Sequence, residues 1–185
     1  MKKKWTEYLW IASILYLFLG LFHILFAWLG LICFLVPLLL AVGKGEKSYC
    51  NHYCGRGQLL QRLGSRLSAQ RACPRWLRSK WFRYGFLLFF LSMFASMLYM
   101  SYVVLQGQPL SAFITLLWTV RIPWFVSSGA ADWVLQFAYG FYSLMLTSTI
   151  LGILTMLVYK PRTWCVYCPM GTMTQAVCRV KNRKS

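Results

Sequence analysis

The chain has 185 residues, of which 59% are hydrophobic and 3 are acidic, and it carries a formal net charge of +17. So apolar and acid-poor a composition excludes an ordinary soluble globule and makes the bilayer the solvent of most side chains. The charge does not point to nucleic acid, because the 20 Lys and Arg fall in blocks separated by long uncharged apolar runs, which is the layout of a topology signal.

The chain opens with Met-Lys-Lys-Lys-Trp. The apolar stretch that follows is too long for a cleaved secretory signal and lacks a small-residue cleavage site, so it reads as a retained signal anchor. As one helix, residues 5–42 would extend ~57 Å, about twice the ~30 Å hydrocarbon core. A helical hairpin fits instead, with spans at 5–23 and 27–42 and a turn within 23–30. Lys2, Lys3 and Lys4 precede it and ten Lys/Arg from Lys44 to Arg83 follow it, which keeps both flanks cytosolic.

Residues 43–83 then form a basic cytosolic segment. Within it, Leu59, Leu60, Leu63 and Leu67 recur at helical spacing among arginines. That pattern predicts an amphipathic helix lying in the membrane interface, suited to anionic headgroups or to docking an acidic ferredoxin or flavodoxin.

A second transmembrane hairpin is predicted over 84–158, with spans at 84–105 and 133–158. Between them, 106–132 carries only Arg121 and Asp132 as charges, as expected of an external loop, and its apolar run suggests an interfacial or re-entrant segment. Tyr159, Lys160 and Arg162 mark the return to the cytosol, and 159–185 forms a cysteine loop with a basic tail. The predicted fold class is all-α: a polytopic protein of the bacterial inner membrane, one membrane domain over 1–185, with four transmembrane helices and both termini cytosolic.

Seven cysteines in an odd count, most of them among cytosolic bases, point to metal or redox chemistry rather than to a disulfide framework. Two segments stand out: Tyr49-Cys50-Asn51-His52-Tyr53-Cys54-Gly55-Arg56-Gly57 and Trp164-Cys165-Val166-Tyr167-Cys168-Pro169-Met170-Gly171. Each follows a predicted hairpin. Aligning Cys54 with Cys168 also aligns Tyr53 with Tyr167, Gly57 with Gly171 and Gln61 with Gln175, so the chain reads as two copies of a hairpin plus cysteine loop.

Neither pair completes a site alone. Together, Cys50, Cys54, Cys165 and Cys168 supply four thiolates, the number required by a tetrahedral zinc or a cubane cluster. The glycines after each pair permit tight turns and offer amides to sulfur, and Arg56, Arg62 and Arg162 are expected to lower the thiol pKa values. Cys33 reads as a small buried hydrophobe. Cys73 and Cys178 lack a neighbouring cysteine and are weaker candidate ligands, while His52 is a loop histidine placed to ligate or to hydrogen-bond sulfur. The other histidine, His23, has no intramembrane partner for bis-histidine heme ligation.

These two motifs resemble those of the NapH/NosR-like membrane iron–sulfur proteins, whose four-helix core carries two cysteine-pair motifs that usually end in Cys-Pro. The resemblance covers most of the chain and implies one 4Fe–4S cluster held by both loops, electron transfer, and a redox partner: a ferredoxin, a flavodoxin or a polyferredoxin-like protein, with quinone or another membrane redox subunit as acceptor. Gly55 stands where that family commonly has proline, and the second pair is separated by two residues rather than three. A single cluster makes the chain a component of a redox complex more readily than a stand-alone enzyme. Two further classes are compatible with the cysteines: a membrane thiol–disulfide oxidoreductase, disfavoured by cytosolic thiols, and a zinc-stabilised structural or sensor subunit.

Overall fold

A computed structural model describes residues 8–44, 53–117, 119–123 and 129–184. The chain is mostly helical. The first helix, α1 (Leu9–Phe22), stops at His23, whose backbone is extended, and a 3₁₀ turn over Ile24–Trp28 leads into α2 (Leu29–Lys44). The reversal lies within the predicted turn region. Tyr16 on α1 accordingly reaches back, its hydroxyl donating to the Ala27 carbonyl at 3.4 Å.

After α2 come α3 (Gly55–Leu67), α4 (Lys80–Leu105), a β-hairpin of β1 (Phe113–Leu116) and β2 (Val120–Pro123), α5 (Asp132–Val158), the short α6 (Trp164–Tyr167) and α7 (Pro169–Lys184). Among the described residues three helical segments are long and apolar enough to cross a membrane: Ile24–Gly43, Lys80–Leu105 and Asp132–Val158; α1 is apolar but shorter. Phe18, Phe22, Leu39 and Leu88 are all exposed. An apolar surface of that extent, on a chain of this composition, is compatible with a membrane protein.

The central element is α5. Tyr139, Phe141, Tyr142 and Leu144 are fully buried, and α4 runs antiparallel along it, with Phe90 and Met93 against Leu144 and Met97 against Phe141 and Met145. Gly140 makes that approach possible, because a Cβ there would overlap the Met97 side chain. Tyr142 ties α1 to α5 by donating to the Leu17 carbonyl at 3.0 Å.

Two expectations change. The all-α reading is interrupted by β1 and β2, which pair antiparallel with Ile114 opposite Ile122. Ile114 is buried with Ile24, Ala27 and Tyr139, so the hairpin covers one end of the bundle, and the Thr115 amide donates to Ser143 Oγ at 2.9 Å. The basic amphipathic helix also differs. It ends at Leu67, and one side of it packs against α1 and α5. Leu59 and Leu60 are buried, whereas Leu63 and Leu67 are exposed. Its glycines explain the insertion: a Cβ on Gly64 would stand 2.7 Å from Pro161 Cβ and 2.8 Å from Met156 Cγ, and one on Gly55 would stand 2.6 Å from the Leu9 carbonyl oxygen.

Candidate functional site: a thiol cradle at two helix starts

Three of the four nominated cysteines are described. Cys50 and His52 lie outside the described residues. Cys54 is the N-cap of α3, where its carbonyl accepts from the Gln58 amide at 3.1 Å. Cys168 stands in the equivalent place at the start of α7, its carbonyl accepting from the Thr172 amide at 2.9 Å. Pro169 follows it at the first helical position, where a missing N–H costs nothing. The aligned cysteines thus share one backbone role. The other aligned pairs diverge: Tyr167 is buried where Tyr53 is exposed, and Gln175 accepts from Arg83 where Gln61 is exposed.

Gly57, in the first turn of α3, marks where the two loops meet. A Cβ built on it would lie 3.7 Å from Cys54 Sγ and 3.8 Å from Cys165 Sγ. Hydrogen in place of a side chain therefore leaves room for about one methyl group, bordered by sulfurs from both loops. Cys168 joins them electrostatically, since Cys54 and Cys165 both act on its thiol. Cys165 is exposed, and Cys54 and Cys168 are partly buried. Among the described residues no group of three or more His, Cys, Asp or Glu side chains is close enough to hold a metal ion.

The cradle is sunk into the bundle. Along α5, Arg56 Nη1 donates to Ser148 Oγ at 2.6 Å, a Cβ on Gly152 would meet both Leu60 and Trp164, and Gly64 abuts Met156 and Pro161. Helix α3 therefore runs beside the last three turns of α5. Its start lies level with Ser148, ten residues before the end of α5 and so about 15 Å below that end. On the other side Trp164 and Tyr167 pack edge-on against Phe86, with ring centroids 5.7 and 5.1 Å away.

Burial pushes the Cys168 thiol up from 9.0 to about 12; the Gly171 amide opposes this by donating to sulfur, Cys54 and Cys165 push further upward, and the Met170 amide opposes again. The expectation that nearby cations lower the thiol pKa therefore fails at Cys168. Desolvation outweighs everything else, because burial disfavours the thiolate. Tyr167 is likewise pushed up to about 12, chiefly by burial, against a hydrogen bond with Thr155.

Arg56 carries information that the sequence reading understated. Its guanidinium donates to Ser148 Oγ and also touches Met145 sulfur, deep beside α5. The sole acid among the described residues is Asp132, at the far end of that helix. Cys33 lies in α2, Cys178 is buried in α7, and Cys73 packs against the buried cluster that includes Trp164 and Tyr167. Comparison of the chain with protein-family models, curated proteins and solved structures finds no match.

Proposed function

We propose that this is a membrane electron-transfer protein in which Cys50, Cys54, Cys165 and Cys168 hold one 4Fe–4S cluster. The observation that carries the reading is the placement of Cys54 and Cys165 about one Cβ-less position, with Cys168 coupled to both. The donor set fits the group in kind. Soft thiols from two loops border one position, backbone amides of Met170 and Gly171 donate to Cys168 sulfur, and a desolvated thiol that resists ionisation is one that a bound metal would deprotonate. A cluster spreads its ligands over several irons, so its thiols stand farther apart than those around one ion.

On this reading α1 is a fourth span, both termini face the cytosol and the membrane is a bacterial inner membrane, as the charge blocks at Lys2 to Lys4 and Lys44 to Arg83 support. The cluster would supply one-electron chemistry. The chain's own residues do the rest: Trp164, Tyr167 and Phe86 exclude water from one side, Arg56 ties the start of α3 to Ser148, and exposed Cys165 marks the side open to a redox partner protein.

Anaerobic purification with metal analysis and electron paramagnetic resonance tests this. About four irons per chain and broad visible absorption are expected; colourless protein without iron after reconstitution refutes it. A dithiol–disulfide function draws support from Cys54 and exposed Cys165 bordering the same position at Gly57. It predicts a metal-free protein whose thiols react from the oxidising face.

A further inference from the structure

Where α4 begins beside α7, a cup of about 160 Å³ is lined by Arg78, Lys80, Arg83 and Arg179, with Thr172 and Gln175. We infer that this cup is a binding site for the phosphate of an anionic phospholipid. This rests on the bilayer as solvent and is independent of what the thiols hold.

Four cations meet here, and Asp132, the one acid among the described residues, is at the opposite end of the bundle. Two of the four occupy the first turn of α4, which contains no acid and whose N-cap Ser79 makes no side-chain hydrogen bond. A helix start is the positive end of its dipole, so Lys80 and Arg83 stand where cations are disfavoured and an anion is favoured. Arg83 cannot simply swing away, because it donates to Gln175 across the cup. Its Nε is buried without a hydrogen-bond partner among the described residues. A phosphate would offset the repulsion, use the guanidinium fork and accept from the amides of the first turn.

The flank of the cup selects a lipid over a free anion. Trp81 is 89% exposed and Tyr84 is 48% exposed, both where the apolar span begins, which is the headgroup level for such rings. A phosphate seated there would carry its acyl chains down the exposed face of α4. Basic recesses between helices on a cytosolic face are suited to such headgroups. The site also touches the cradle: Thr172 lines the cup, and its hydroxyl and amide both donate to the Cys168 carbonyl, at 3.1 and 2.9 Å. Lipid held between α4 and α7 would therefore steady the turn that carries Cys168.

The test uses the full chain in uncharged detergent, with binding read by native mass spectrometry and thermal shift. The probes are dioctanoyl phosphatidate, dioctanoyl phosphatidylglycerol, dioctanoyl phosphatidylcholine, inorganic phosphate and an acidic peptide. The two anionic lipids are expected to bind and raise Tm, and the zwitterionic lipid is not. The exposed-site variant Arg78→Gln/Arg179→Gln should weaken binding by about tenfold or more, while Arg66→Gln/Arg71→Gln, which removes equal charge elsewhere, should leave it within about twofold of the unmodified chain. Equal shifts with inorganic phosphate would make it a soluble-anion site and overturn the lipid assignment. Binding of the acidic peptide without lipid would overturn it in favour of protein docking, and equal losses in both double variants would reduce it to diffuse surface charge.

Discussion

Gly57 offers the sharpest test of whether the space between the two loops is the working centre. A methyl group there meets Cys54 Sγ at 3.7 Å and Cys165 Sγ at 3.8 Å, ordinary van der Waals distances. Gly57→Ala should therefore fold normally, and alanine's better helix propensity adds up to about 1 kcal/mol at a helical position. Leucine differs, because each carbon beyond Cβ advances roughly 1.5 Å and must enter the sulfur-lined space. Gly57→Leu is expected to keep the helical content of the unmodified chain while losing more than about half of its iron after anaerobic reconstitution, against the about four irons of a complete cluster. Iron analysis, visible absorption and circular dichroism on the three proteins decide the matter. Undiminished iron with an unchanged spectrum in Gly57→Leu would refute the placement of the centre, whereas lost helicity would trace the effect to folding.

Cys54→Ser and Cys168→Ser should each abolish or alter the paramagnetic signal, since each removes a thiolate from a different loop; an unchanged signal in both would reject the shared centre. In the metal-free protein Cys168 binds its proton more tightly folded than unfolded, so its contribution to stability is full below pH 9.0 and is lost as pH rises toward about 12. Denaturant titrations across that window should show the decline, and Cys168→Ser should flatten it. Gly64→Ala, which brings a methyl to 2.7 Å from Pro161 Cβ, should destabilise the fold by about 1–3 kcal/mol through overpacking, read as a lowered midpoint of thermal unfolding.

The long spans were legible because hydropathy acts over many residues. The predicted 84–105 and 133–158 differ from Lys80–Leu105 and Asp132–Val158 by a few terminal residues, where snorkelling bases extend a helix past its apolar run. The β-hairpin was not read, although Ile114, Thr115, Thr119, Val120 and Ile122 crowd β-branched residues into a short stretch, itself a strand signal. The insertion of α3 was missed for another reason. Leucines among arginines suggested a surface helix, but Gly55 and Gly64 set how closely it approaches its neighbours, and small residues at contacts are how apolar helices pack without a hydrophobic driving force. At the site, spacing pointed to the thiols as a group. The rise of the Cys168 pKa depends on Trp164, Tyr167 and α7 closing around it, and no local pattern encodes that.

On the proposed reading, the packing favours one shared centre over two. Helix α3, which follows the first hairpin, packs against α1 and α5; helix α7, which follows the second, packs against α4 and α2. Exchanging α1 with α4, α2 with α5 and α3 with α7 carries one arrangement into the other, so each cysteine-bearing helix is lodged partly in the opposite repeat. Lys181 fastens α7 to the end of α2 by donating to the Val42 carbonyl at 2.9 Å, and the Ala69 amide fastens the chain beyond α3 to the Leu157 carbonyl at 3.0 Å. A half chain would then lack one wall of its own cysteine helix as well as the other pair of thiols. Residues 1–79 and 80–185, produced as separate chains in one membrane, should copurify and retain iron, while either half alone should hold little. Full iron in a single half would show that one repeat suffices and would overturn the exchange of helices as the basis of the site.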